Sequence, residues 1–199
     1  MLDVLDNPMT EQYVGLKQHV LSSDFPLHWI HATICADEWC QANALGERCP
    51  NQNDEDIPFL SHAVLRRTGD KSGTPEVGSP IFHQARQVFD EILDHNGIGP
   101  RHFYRMNVNM TMPTPKRMSP THTDHPYPHS NLLVYLNGFT GGRTWVEGVE
   151  GPQPIEDMVV TFGGVPHRAA PPIEDRRVVL VATYGTDDED TTSWVEITE

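Results

Sequence analysis

The chain is 199 residues long, which suits one domain because a single core is workable at this length and two full domains would be cramped. Hydrophobic residues make up 37% of it, which is enough for a globular protein, while 15 glycines and 17 prolines indicate many turns. A formal charge of −14 opposes attraction to phosphate backbones and anionic lipid, so nucleic-acid and membrane partners are disfavoured.

The N-terminal segment lacks the pattern of a secretion signal, since Met1 to Asp6 is acidic rather than basic and then apolar. No apolar run in the sequence approaches membrane-spanning length. We therefore expect a soluble, cytoplasmic protein. The cysteines Cys35, Cys40 and Cys49 are odd in number and form no paired CxxC unit, which favours free thiols over disulfides or a structural zinc site.

A short amphipathic helix is predicted from Thr10 to Leu21. Thr10 suits the N-cap position, because its hydroxyl can accept a hydrogen bond from the first turn. The apolar residues that would face the core are Val14, Leu16 and Val20.

A longer helix is predicted from Pro80 to His95. Ser79 can cap it, a proline suits the first turn, and Gly97 lies just past the end. Such a helix would carry one apolar stripe, made of Ile81, Ala85, Val88, Phe89, Ile92 and Leu93. The stripe predicts that this helix packs on a sheet.

After residue 100 the pattern changes to short β-rich runs, which are separated by turn signals such as Asn137-Gly138 and Gly163-Gly164. The predicted strands are Phe103 to Met110, Asn131 to Asn137, Thr144 to Glu147, Met158 to Phe162, Arg177 to Tyr184 and Trp194 to Ile197. Helices followed by many closely spaced strands favour a mostly β fold, a sandwich or barrel with flanking helices.

A candidate metal site begins with His122 and Asp124, which form a His-X-Asp motif. In extended backbone the two side chains point to the same side, so both can reach one ion. The best candidate for a third ligand is His167, because it follows a predicted strand, a turn and a proline. Two imidazoles and one carboxylate are the ligand set of non-haem iron(II) oxygenases. The alternative for a His-X-Asp motif standing alone is a surface loop.

Arg176 and Arg177 stand directly before the apolar run that begins at Val178. Arginine can bind a carboxylate through two hydrogen bonds, so one of the pair is a candidate for holding an anionic ligand. The alternative is a solvated start of a strand, since most arginines are exposed.

Arg105, Asn107 and Asn109 alternate along a predicted strand and would project from one face of it. This face is either the wall of a pocket, with Asn109 nearest in sequence to the His-X-Asp motif, or a solvent-facing surface. Two more histidines, His125 and His129, flank the motif and are expected to line a loop rather than to bind metal.

Together these motifs resemble the prolyl-4-hydroxylase-like branch of the 2-oxoglutarate/iron(II) dioxygenases, over roughly Phe103 to Tyr184. The residues that carry the resemblance are His122-Thr123-Asp124, Leu133-Val134-Tyr135-Leu136-Asn137, Gly141-Gly142, His167 and Arg176-Arg177. In that family His-X-Asp and a distant histidine bind iron, and a basic residue nine or ten positions after that histidine binds the co-substrate. Both spacings are met here.

The resemblance implies a double-stranded β-helix, or jelly roll, in which His122, Asp124 and His167 bind Fe(II). It implies that Arg177, or else Arg176, holds 2-oxoglutarate together with Tyr135, and Asn109 is a further candidate for contact with the co-substrate. We expect a single domain over residues 1–199, in which residues 1–100 supply N-terminal helices and supporting strands. Residues 101–199 would then form the jelly-roll core with the metal site.

The implied reaction consumes 2-oxoglutarate and O2, releases succinate and CO2, and hydroxylates a peptide or a small molecule. Fold-level analogy does not determine the substrate. Two alternatives stay open: a non-catalytic jelly-roll binding module, and a cupin-type enzyme that uses the same metal ligands without 2-oxoglutarate.

Overall fold

The central feature of the fold is an eight-stranded antiparallel sheet, seen in a computed structural model that describes residues 1–30, 57–68, 73–99, 101–115 and 118–186. In spatial order its strands are β1 (Leu2–Leu5), β10 (Val159–Gly163), β6 (Ser130–Tyr135), β13 (Arg177–Thr186), β5 (Arg101–Thr111), β3 (Phe59–Arg66) and β2 (His28–Ile30), with β4 (Glu76–Val77) paired to β3. Strands from both ends of the chain therefore meet in one sheet, and β13 lies near its middle.

Two smaller sheets cover one face of this main sheet. One consists of β11 (His167–Ala169), β8 (Thr144–Val146) and β9 (Val149–Glu150), and the other of β12 (Pro172–Glu174) and β7 (Thr140–Gly141). Val146 of β8 packs with Tyr135 and Val179 of the main sheet in a common apolar cluster. The two layers form a jelly roll, which confirms the fold class expected from the sequence.

Two helices, α1 (Glu11–Leu21) and α2 (Phe82–His95), cover the opposite face of the main sheet. Their apolar residues share a second, larger core with alternate residues of β13, namely Val178, Leu180 and Ala182. This burial is the main stabilising contribution, because each fully buried Val, Leu or Phe contributes about 1.5–3 kcal/mol.

Helix α1 begins as predicted, because the Thr10 hydroxyl accepts a hydrogen bond from the backbone N–H of Tyr13. Its buried face differs from the prediction at one position: Val14 is 37% exposed, whereas Tyr13 is 1% exposed. A tyrosine can be buried to this extent because its hydroxyl donates to Asp157, so no polar atom is left unpaired.

Helix α2 begins two residues later than the predicted Pro80. Ser79 does not cap it with its side chain, because the Ser79 hydroxyl lies 2.7 Å from Nε2 of His62 and is engaged there. The backbone carbonyl of Ser79 instead accepts from Phe82 N–H at 3.1 Å. Every residue of the predicted apolar stripe is buried.

The strand predicted to end at Asn137 ends at Tyr135. The side chain of Asn137 still contacts the backbone at the start of β13. It accepts a hydrogen bond from Val178 N–H and donates one to the carbonyl of Arg176. The predicted strand from Trp194 to Ile197 and the three cysteines lie outside the described residues. Among the residues that are described, no helix is long and apolar enough to cross a membrane.

Candidate metal centre

The three predicted metal ligands converge between the two layers of the jelly roll. His122 and Asp124 lie on the connection between β5 and β6, and His167 begins β11. Two backbone hydrogen bonds join His122 to His167, N–H to O in both directions, at 3.0 and 2.9 Å. One donor atom from each of the three side chains lies within 4.8 Å of the others, so the group could hold a metal ion.

Backbone carbonyls orient both imidazole rings. Nδ1 of His122 lies 3.2 Å from the oxygen of Pro120, and Nδ1 of His167 lies 3.0 Å from the oxygen of Val165. A carbonyl oxygen only accepts, so Nδ1 carries the proton in each ring and Nε2 presents a lone pair. This is the usual arrangement of histidines that bind metal through Nε2.

The two carboxylate oxygens of Asp124 have different neighbours. Oδ1 forms an ion pair with Nη2 of Arg105 at 2.7 Å, and Oδ2 lies 3.4 Å from Nε2 of His167. Burial raises the pKa of Asp124, but the charge of Arg105 opposes burial, and that pKa lies well below its ordinary value. Asp124 is therefore an anion at neutral pH, as a metal ligand must be.

Arg67 contacts the backbone of the same aspartate. It follows β3 directly and donates from Nη1 to the backbone oxygen of Asp124 at 2.8 Å. Neither arginine contact was derived from the sequence. The alternation that places Arg105 on one face with Asn107 and Asn109 was a usable signal, but nothing in the sequence linked Arg67 to Asp124.

The face that carries Arg105, Asn107 and Asn109 is the metal-facing side of the main sheet. The strand register places Asn109 and Tyr135 on either side of Val179, whose side chain belongs to the core of the jelly roll. Asn109 accepts a hydrogen bond from the Ser61 hydroxyl at 2.7 Å. The pocket-wall interpretation of this face is thus favoured over the solvent-facing one.

Of the two adjacent arginines, Arg177 points inward and Arg176 is exposed. The guanidinium carbon of Arg177 lies 5.3 Å from the centre of the Tyr135 ring, and the side chain is 8% exposed. Its Nε is buried with no hydrogen-bond partner among the described residues. The Tyr135 hydroxyl lies 3.4 Å from that of Thr144.

A glycine makes room for Arg177. Gly142 has φ of +65°, and a Cβ there would lie 2.6 Å from the Phe139 ring and 3.1 Å from Cδ of Arg177. Any side chain would therefore clash with the ring and strain the backbone. The Gly141-Gly142 pair of the sequence motif thus borders the Arg177 site.

His125 and His129 are buried beside the metal ligands but do not belong to the group that could hold an ion. Nε2 of His125 lies 2.8 Å from the Thr183 hydroxyl. Burial, and then Arg105, lower the pKa of His125 to about 3, so this ring is neutral. His129 directs Nδ1 to the oxygen of Tyr127, and its Nε2 has no partner among the described residues.

A separate surface groove of about 750 Å³ lies against the smaller sheets. Trp145 and Arg143 line it, and none of the three proposed metal ligands does. Trp145 is paired with Arg168, one position from the inward-facing Val146, so it lies on the outer side of its sheet. This groove is therefore distinct from the metal centre.

Solved structures with a similar fold include an oxidoreductase, a prolyl hydroxylase and an epimerase. An oxidoreductase of the 2OG-Fe(II) oxygenase family from Burkholderia pseudomallei matches 87% of this chain and 77% of its own, with a TM-score of 0.55 and 14% identity. A prolyl hydroxylase from Trichoplax adhaerens, in complex with a peptide fragment of hypoxia inducible factor, matches 94% and 84%, with a TM-score of 0.55 and 17% identity. An alpha-ketoglutarate-dependent epimerase of nogalamycin biosynthesis matches 93% and 77%, with a TM-score of 0.54 and 10% identity.

No family model matches the sequence, and no curated protein matches it in sequence. The resemblance to 2-oxoglutarate/iron(II) oxygenases and prolyl hydroxylases that the motifs indicated is confirmed as a likeness of fold. Sequence identities this low support the fold alone.

Proposed function

We propose that the chain is a 2-oxoglutarate- and Fe(II)-dependent dioxygenase that hydroxylates a peptide or a small molecule. The observation that carries the proposal is the meeting of His122, Asp124 and His167 within 4.8 Å, inside a jelly roll. His167 is remote in sequence from His122 and Asp124, and the combination of two imidazoles with one carboxylate is suited to Fe(II).

The donor set fits the metal. Each imidazole offers Nε2, because its Nδ1 is directed at a backbone carbonyl, and Asp124 is ionised. Three protein ligands leave positions for other molecules, and iron bound there would supply the oxidation of substrate by O2, coupled to conversion of 2-oxoglutarate to succinate and CO2. The protein contributes orientation of the ligands and exclusion of water.

Arg177 and Tyr135 are proposed to hold the distal carboxylate of 2-oxoglutarate. A buried guanidinium with an unpartnered Nε is costly unless a ligand supplies an acceptor, and a carboxylate supplies two. Arg176 is the weaker candidate because it is exposed. Asn109 is proposed to line the same wall, since it shares the metal-facing side of the sheet with Tyr135.

The alternative is a non-catalytic metal-binding jelly roll of cupin type. It accounts for the three ligands, but it gives no reason for a buried arginine on the same side of the sheet whose Nε has no hydrogen-bond partner among the described residues. The substrate class is proposed by analogy with the neighbours in fold. The Trichoplax prolyl hydroxylase was solved with a peptide, and we propose a peptide or a small molecule for this chain.

The test is anaerobic addition of Fe(II) and 2-oxoglutarate to the purified chain. A weak visible charge-transfer band is expected, followed by succinate when O2 is admitted with a substrate. A folded, iron-loaded sample that gives no band would contradict the proposal and favour the non-catalytic alternative. Succinate formation separates the proposal from an enzyme that uses the same ligands without 2-oxoglutarate.

Two arginine variants test the co-substrate contact. Arg177→Gln is expected to raise the 2-oxoglutarate concentration at which the charge-transfer band reaches half of its full intensity by about 10-fold or more. The reason is that a charge-assisted hydrogen bond contributes roughly 1.5–3 kcal/mol. Arg176→Gln is the matched control and is expected to change that concentration less than about twofold, because Arg176 lies on the surface, outside the buried site of Arg177. Equal effects of the two variants would remove Arg177 from this role.

A further inference from the structure

Two arginines contact Asp124, one at its carboxylate and the other at its backbone oxygen. Arg105 approaches its Oδ1 at 2.7 Å, and Arg67 donates to its backbone oxygen at 2.8 Å. Arg67 is exposed and the side chain of Arg105 is 17% exposed, so the pair forms the border between the metal centre and solvent.

Positive charge is in excess at this border. In the part of the chain that the structure describes, Asp124 is the acidic partner of Arg105, and no carboxylate lies within ion-pair distance of Arg67. A bound Fe(II) would add two positive charges, and the chelating carboxylate of 2-oxoglutarate would return one. The chain as a whole has a formal charge of −14, so the excess is local. A half-buried positive surplus favours an anionic ligand.

Two buried hydrogen-bond donors, one of them on Arg105 itself, lie on the same side of the main sheet. Arg105 and Asn131 both face Thr183 across neighbouring strands, so the three side chains form a row on the metal-facing side of the sheet. Nε of Arg105 and Nδ2 of Asn131 have no partner among the described residues, and Asn131 is 1% exposed. Both atoms donate, so a ligand that brings acceptor oxygens would satisfy them.

We infer that the substrate of the metal centre carries a carboxylate, which Arg67 and Arg105 bind at the mouth of the site. This inference rests on the proposed function and narrows its substrate to an acid. A neutral stretch of peptide would supply acceptor oxygens to the unpaired donors, but it would leave the positive surplus without a counter-charge. A small carboxylic acid, or a chain end with a free carboxylate, supplies both the acceptor oxygens and the negative charge.

The test uses Co(II)-loaded protein saturated with 2-oxoglutarate, so that the Arg177 site is already filled. The probes are N-acetylglycine and its neutral counterpart N-acetylglycinamide, followed by proton NMR. Paramagnetic Co(II) broadens the resonances of a molecule that binds close to it, and Zn(II)-loaded protein supplies the diamagnetic reference. We expect broadening of the acid and none of the amide.

Arg67→Gln is expected to weaken binding of N-acetylglycine about 10-fold, because one charge-assisted hydrogen bond is lost. Arg66→Gln is the matched control. Arg66 is the last residue of β3, directly before Arg67, its side chain is 52% exposed, and its Nη1 lies 3.6 Å from Oε2 of Glu76. Thermal melting establishes that both variants are folded. Equal broadening of acid and amide, or no broadening of either, would overturn the inference. Acid binding that survives Arg67→Gln would also overturn it, since it would indicate direct ligation of Co(II).

The Fe(II) charge-transfer band, recorded on separate Fe(II)-loaded samples of the same protein variants, separates the inference from the proposed function. A band without Arg67-dependent binding of the acid removes the inference and leaves the proposed function standing. Arg67-dependent binding without a band removes the proposed function and leaves an anion site.

Discussion

The two faces of the main sheet differ in what their side chains do. On the helix-covered face, β13 contributes Val178, Leu180 and Ala182 to an apolar core. On the metal-facing side the same strand contributes Arg177 at its start and Thr183 further along, with Val179 and Val181 between them. Alternate residues of one strand therefore pack in the apolar core on one side of the sheet and line a polar site on the other.

The cost of the polar side is visible in its unpaired atoms. Among the described residues, the buried side-chain nitrogens without a hydrogen-bond partner are Nε of Arg105, Nε2 of His129, Nδ2 of Asn131 and Nε of Arg177. All four belong to the metal-facing side, and each such group costs about 1–3 kcal/mol when left unpaired. Ligands that pair with these atoms would recover that cost. Without ligands, the stability of the fold comes mainly from the helix-covered face.

The largest expected effect is on the helix-covered face. Leu180→Ala is expected to lower the free energy of unfolding by about 2–5 kcal/mol, because Leu180 is fully buried and its removal leaves a cavity. Urea unfolding of the metal-free protein measures this. Ile173→Ala is the control: Ile173 is 71% exposed and the change is expected to stay within about 0.5 kcal/mol. If the Leu180→Ala protein were folded but no longer bound Co(II), the helix-covered face would not be separate in function from the metal-facing side.

The matching change on the other side is His167→Ala. Loss of one proposed ligand is expected to reduce Co(II) affinity at least about 100-fold, since even indirect partners of a metal site account for 10–100-fold. Titration followed by the visible absorption of Co(II) checks this, with His83→Ala as the exposed histidine control. The free energy of unfolding without metal should fall less than in Leu180→Ala. Unchanged Co(II) affinity would remove His167 from the site.

A smaller effect is expected at the start of α1. The Thr10 hydroxyl accepts from Tyr13 N–H at 3.2 Å and donates to Glu91 of α2 at 2.5 Å. Thr10→Ala should lower the free energy of unfolding by about 1 kcal/mol, whereas Thr10→Ser should restore most of it because serine caps equally well. Equal losses in the two variants would show that the hydroxyl is not the stabilising group.

The smallest effect is a pH dependence on the helix-covered face. Burial lowers the pKa of His62, although its hydrogen bond to the Pro26 carbonyl opposes this, so the folded state keeps the ring neutral. The unfolded chain takes up a proton near pH 6.5, so stability is complete above that pH and is lost as the pH falls below it. His62→Gln should flatten the slope of unfolding free energy between about pH 7 and 5. The exposed His83→Gln should leave the slope unchanged.

Sequence reasoning was most successful where the signal is local. The stripe of α2 is buried at every predicted position, because helical spacing alone determines which residues share a face. Local spacing was less informative for Val14, which is exposed, since whether Tyr13 could be buried depended on a partner at Asp157, 144 positions away. Similarly, Ser79 does not cap α2 because His62 of a neighbouring strand engages its hydroxyl.

By itself, the sequence determined the mostly β architecture with flanking helices and the candidate ligands His122, Asp124 and His167. It did so because alternation, turn residues and the His-X-Asp spacing act over a few residues. Only the tertiary structure decided that His167 lies next to the His-X-Asp motif and that Arg67 and Arg105 both contact Asp124. It also decided that Arg177 is buried while Arg176 is exposed. Those outcomes depend on which strands become neighbours, and sheet order is set by the burial of the whole chain, which no short stretch of residues encodes.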